Sequence, residues 1–137
     1  MSGMIRISEA FGLAFHTVYY LVSVEPGTPV SAAQLGETFD VSVAHLGKVL
    51  PRLVRAGILR SKRGPSGGFV LGCDPEAVTL LDVYRAVEGE LRAVTCMLGR
   101  PRCPAGTCVM EQLHKSVYNQ VYEQLSRTRL ADLAVKA

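Results

Sequence analysis

A chain of 137 residues with 48% hydrophobic side chains supports one modest core, and a formal charge of +3 is too small by itself to point to nucleic acid. The longest apolar run, Leu13 to Val24, contains His16 and Thr17 and falls short of the roughly 20 residues that a membrane span needs. No basic, apolar and small-residue order opens the chain, so the expectation is a cytoplasmic protein without a membrane partner, in which four cysteines suggest metal or redox chemistry before a disulfide framework.

From Ile5 to Val24, the residues Ile7, Ala10, Phe11, Ala14, Phe15, Val18, Leu21 and Val22 recur at helical spacing, with Ser8 as the cap. Pro26, Gly27 and Pro29 end that helix. Ser31 caps a short second helix through Ala33, Leu35 and Phe39, and Asp40-Val41 turns the chain into a third, from Ser42 to Ala56, closed by Gly57. The third helix buries Leu46, Val49, Leu50 and Leu53. At 100° per residue, Ala44, Lys48, Arg52 and Arg55 fall opposite them, with His45 at the flank. Pro51 faces the carbonyl of Gly47, which predicts a bend and not a break.

Ile58 to Arg63 and Phe69 to Gly72 read as two strands around the tip Gly64-Pro65-Ser66-Gly67-Gly68. A further helix covers Leu80 to Val87 under a Thr79 cap. After the loop from Cys96 to Cys108, the residues Val109, Met110, Leu113, Val117, Val121, Tyr122 and Leu125 mark a long amphipathic helix to about Ser126. Its apolar surface exceeds what a small wing domain covers, which points to a second subunit.

The fold class expected is mostly α with a small β-hairpin wing, a winged helix-turn-helix followed by a long C-terminal dimerisation helix. In that order of elements the third helix enters the major groove of double-stranded DNA and the hairpin lies beside it. Ser42, His45 and Lys48 lie near the helix start, where base edges are reached. Lys48, Arg52 and Arg55, with Lys62, Arg63, Ser66 and Gly67 of the wing, are candidates for the backbone. Gly67 and Gly68 serve either turn geometry or a close approach to the sugar-phosphate chain.

Cys96, Cys103 and Cys108 place three thiols within thirteen residues. Thiolates suit an iron–sulfur cluster or zinc, and free redox-active thiols are the third option; spacing alone does not choose. Thr107 is the expected cap of the following helix, which would favour the Cys108 thiolate, and Arg100 and Arg102 would offset cluster charge. Cys73 reads as a small buried hydrophobe and His114 as a surface residue. A small iron–sulfur electron carrier or a zinc-stapled adaptor has no need of the basic helix, and no Ser, Cys or His has a recognisable base partner, so no enzyme is expected.

The runs Val41-Ser42-Val43-Ala44-His45-Leu46-Gly47-Lys48-Val49-Leu50, Leu53 to Leu59, Arg63-Gly64-Pro65-Ser66-Gly67-Gly68-Phe69 and Thr79 to Glu88 together resemble the core of Rrf2-type regulators. The resemblance implies a homodimer paired through its C-terminal helices, a roughly two-fold symmetric operator, and Arg63 in the minor groove. Where some members carry an acidic residue that discriminates operators, this chain has Gly47. Cluster-binding members carry three cysteines at this place, which implies a 2Fe–2S or 4Fe–4S cofactor and a regulator, expected to be a repressor, that senses redox state, iron or nitric oxide. A cluster-free thiol or small-ligand switch is the alternative. For the fourth ligand, a subgroup's histidine corresponds to Glu111, and donors borrowed from the partner's first helix correspond to Gly12, which cannot serve, and His16. His16 is set against the reading of a satisfied core histidine. The divisions expected are 1–90 for DNA binding, 91–108 for the cysteine loop and 109–137 for the dimerisation helix and tail.

Overall fold

The computed structural model describes residues 7–93, 96 and 108–134. Three serines start the first three helices. Ser8 accepts from Phe11 N at 3.2 Å before α1 (Glu9–Ser23), and Ser42 accepts from Ala44 N at 3.1 Å before α3 (Val43–Arg55). At α2 (Ala32–Phe39), Ser31 Oγ accepts from Gln34 N at 3.1 Å while Ser31 N donates to Gln34 Oε1 at 2.8 Å. Each satisfies amides that a helix start leaves without partners. α2 ends at Asp40 in the left-handed region, φ 53°. The turn then brings α3 so close that a Cβ on Gly36 would stand 3.0 Å from Val41 O and 3.1 Å from Val43 Cγ2, so any larger residue must push this corner apart by a few tenths of an ångström. α3 runs unbroken through Pro51, as its place opposite Gly47 predicts.

β1 (Leu59–Lys62) and β2 (Gly68–Leu71) pair antiparallel with Leu59 opposite Leu71 and Lys62 opposite Gly68. Val30 adds a rung against Phe69 through bonds of 3.0 and 2.8 Å, which ties the entry of α2 to the wing. α4 (Leu80–Glu88) starts with a second capping box, between Thr79 and Asp82.

α5 (Met110–Arg127) departs from expectation at its start. Its N-cap is Val109, with no side-chain cap, and Glu111 N turns back onto Cys108 O at 3.1 Å. The expected Thr107 cap falls before that position and outside the described residues, and Cys108 stands immediately before the N-cap.

The core forms where α1, α3 and α4 meet, around Ala14, Val18, Leu46, Leu50, Leu53 and Val83. Phe11 and Tyr84 close it edge to face at 5.4 Å. The chain after α5 returns to this core. Leu80 N donates to Thr128 O and Leu130 N to Val78 O, both at 2.9 Å, and a 3-10 turn (Leu130–Leu133) places Leu130 at 0% exposure. Full burial of that side chain contributes about 1.5–3 kcal/mol, so the tail is part of the winged-helix core.

Candidate nucleic-acid interface and cysteine site

Ser42, His45, Lys48, Arg52 and Arg55 of α3 are all exposed, as are Lys62, Arg63 and Ser66 of the wing, while Gly67 is half-buried. Helix α3 arrays its cations because the opposite face is spent on the core. Several of these groups are engaged within the protein, Ser42 as the cap of α3 among them. His45 Nδ1 lies 3.3 Å from the Glu9 carboxylate of α1. Arg52 Nη1 donates to the Val87 carbonyl of α4 at 2.9 Å. Lys62 Nζ reaches Gly27 O at 3.5 Å, a long contact that leaves it largely in solvent. A Cβ on Gly67 would stand 2.2 Å from Lys62 O, so the hairpin's own backbone already demands glycine there.

Cys96 and Cys108 are half-buried and neither is in a disulfide. Cys103, Arg100, Arg102 and Thr107 lie outside the described residues. Among the described residues, no three His, Cys, Asp or Glu side chains are gathered as a metal site. Glu111 pairs with Lys115 at 3.1 Å, one turn along α5.

Both histidine expectations are corrected. His16 is exposed and not a core histidine. Its Nδ1 lies 2.7 Å from Gly12 O, and a carbonyl only accepts, so Nδ1 carries a proton and Nε2 is the nitrogen that holds the lone pair in the neutral ring. Phe15 and Phe39 flank the ring edge-on at 5.4 and 5.2 Å. His114, expected at the surface, is 1% exposed, and neither ring nitrogen has a hydrogen-bond partner. The signal was present: Met110, His114, Val117, Val121 and Leu125 share one stripe at helical spacing, and His114 occupies its centre.

Cys73 is half-buried, as a small hydrophobe would be, and lines a cavity of about 230 Å³ with Leu21, Val24, Val70 and Pro75. Burial pushes its thiol pKa up, and the carboxylates of Asp74 and Asp82 push it further.

The Rrf2 family profile, described as an iron-dependent transcriptional regulator, matches residues 7–136. The HTH-type transcriptional regulator IscR of Vibrio cholerae is 31% identical over 106 residues, which are 77% of this chain and 61% of that protein. The chain thus spans about three fifths of the length of that relative. The solved structure of CymR, the global cysteine regulator of B. subtilis, superposes with a TM-score of 0.76 at 29% identity over 94% of this chain and 95% of that one. T. potens IscR shares the fold, with a TM-score of 0.73 at 23% identity over 93% and 85% of the two chains. Among the described residues, no helix is long and apolar enough to cross a membrane. With its family match, its helix-turn-helix and wing, and relatives that regulate transcription and are not enzymes, the chain belongs to the Rrf2 family of transcriptional regulators.

Proposed function

We propose that this regulator is a homodimer whose hold on a roughly two-fold symmetric operator is set by an iron–sulfur cluster on Cys96, Cys103 and Cys108. Residues 1–90 read the DNA, 91–108 carry the cluster, and 109–137 hold the helix that pairs the subunits and the tail that returns to the core. The observation that carries the DNA reading is the exposed row Ser42, His45, Lys48 and Arg55 beside the exposed wing residues Lys62, Arg63 and Ser66. Ser42, His45 and Lys48 lie at the α3 start, where base edges are met; Arg55 and Lys62 bring charge to the backbone, Arg63 enters the minor groove, and Gly67 lets the wing tip approach closely.

The donor chemistry fits a thiolate-bound centre. Cys96 and Cys108, outside any disulfide, bracket the segment that holds Cys103. When bound, the cluster supplies a centre whose charge and integrity respond to redox state, iron supply or nitric oxide. The three thiolates hold it, and a fourth donor comes from His16 or Glu111. His16 ranks first, because it is exposed and its Nδ1 is oriented by Gly12 O, while Glu111 is paired to Lys115.

The likeness to the cysteine regulator CymR favours one second reading, a cluster-free thiol or small-ligand switch on the same fold. One experiment separates the two. Protein purified without oxygen is assayed for visible absorption, iron and acid-labile sulfide. Cluster-loaded and cluster-free samples are then titrated with a duplex selected by the protein from a random library. The proposal expects colour, iron and sulfide in equal amounts, and different affinities for the two forms. Colourless protein with wild-type DNA affinity overturns the cluster and leaves the thiol switch.

A further inference from the structure

The basic face of α3 is interrupted at Arg52. Its guanidinium turns to the Val87 carbonyl, thirty-five residues on, at 2.9 Å in a part-buried contact. Val87 lies in the last turn of α4, where carbonyls have no partner within the helix and where the negative pole of the helix favours a cation. The same end of α4 is held from two other elements. The Ser8 hydroxyl, at the start of α1, donates to the Glu88 carboxylate. Three residues beyond Glu88 stands Leu91, a core residue whose carbonyl accepts from the Tyr118 hydroxyl of α5 at 3.4 Å. The chain then reaches Cys96 after five more residues. The last turn of α4 is thus where the DNA-reading helix, the first helix and the route to the first cluster thiol are joined by polar contacts.

We infer that Arg52 is a positioning residue that couples the cysteine segment to α3 through the end of α4, and that it is not a phosphate contact. This rests on the sensing reading above. α3 packs on the core through Leu46, Val49, Leu50 and Leu53, which fix its depth. A charged hydrogen bond to one carbonyl is directional, so it fixes α3 against residues 87–91. A change of ligation at Cys96 that pulls on Leu91 moves the Val87 carbonyl, and Arg52 moves with it.

A phosphate contact and a coupling contact leave different signatures. A phosphate contact raises the dependence of binding on salt by about 0.9 in log-log slope per contact. A coupling contact leaves that slope alone and sets the ratio of affinities between cluster-loaded and cluster-free protein. The test measures both by fluorescence anisotropy on a duplex of roughly 30 base pairs, long enough for two half-sites, selected by the wild-type protein from a random library. Arg52→Gln is expected to keep the wild-type slope and to bring the affinity ratio to within about twofold of unity. A slope shallower by about 0.9 per subunit overturns the inference, and so does an unchanged ratio. If Arg52→Gln does not fold, Tyr118→Phe removes the neighbouring contact without touching a cation. The same loss of ratio is expected there, and an unchanged ratio overturns the coupling. A wild type that holds its cluster yet binds DNA equally in both forms defeats the sensing reading itself, whereas a response retained in Arg52→Gln defeats the coupling alone.

Discussion

His16 shows how one backbone carbonyl decides what an imidazole can do. With its Nδ1 proton committed to Gly12 O, the ring is oriented and in its neutral form offers Nε2 to a metal, as when a carbonyl behind a ligating histidine fixes its tautomer. Replacing His16 by Ala is expected to change the visible spectrum of the anaerobic protein, whereas Glu111→Ala, which breaks only the pair with Lys115, leaves it unchanged. The opposite pattern would assign the fourth position to the carboxylate. Cys73 has the contrary character. Burial and two nearby carboxylates hold its proton on beyond the ordinary thiol value of 9.0, so the reactive thiolate is scarce at neutral pH and grows only as pH rises past that value. Alkylation by iodoacetamide, followed by mass spectrometry from pH 7 to about 10, is expected to show Cys73 lagging a model thiol throughout and Cys73→Ala retaining the cluster colour.

The apolar stripe of α5 is covered unevenly. His114 sits at the buried centre, and an unsatisfied polar group there costs about 1–3 kcal/mol. Substituting Phe keeps a ring in the same space and removes the unpaired nitrogens. The expected outcome is a higher Tm, by several degrees for a chain of this size; a lower Tm means that the ring has a partner in solution. On α3 the elements divide by contact type. Lys48→Ala is expected to change both affinity and sequence preference across a panel of duplexes, and Arg55→Ala to weaken all of them nearly equally. Helix starts and the hairpin were legible in the sequence because their causes are local: Ser8, Ser31, Ser42 and Thr79 each bond amides within three residues, and the wing glycines mark the turn. What stayed hidden was non-local. Leu130 is one leucine between Arg129 and Ala131 until Val78 and Thr79, some fifty residues earlier, bind the backbone beside it. Arg52 reads as one more cation in a basic row until α4 folds its last carbonyl against it. His16 misled because its helix is apolar nearly throughout, yet its own side of α1 is left open.

The whole molecule leaves apolar surface on α5 that its own core does not cover. Val109 is 92% exposed and Leu113 47%, and at 100° per residue they stand about 40° apart on one side of α5, away from the strip around His114, Val121 and Leu125, while Tyr122, 38% exposed, lies on the other side. The side that carries Val109 and Leu113 suits a partner helix laid alongside, and a second copy offers the same surface in return, which is what a two-fold interface requires. Two subunits also place two α3 helices and two wings on one duplex, at half-sites spaced by a helical turn of DNA. The prediction joins these facts through salt. If the chain binds as a dimer, its light-scattering mass is twice the 14.8 kDa of one subunit, and its phosphate contacts are counted twice in the salt dependence of binding. Leu113→Glu puts a charge on that exposed side without disturbing the core. It is expected to halve the mass, to halve the steepness of log Kd against log salt, and to abolish the preference for a two-fold symmetric site over a single half-site. A variant that stays dimeric with all three properties intact places the subunit contact elsewhere than on α5.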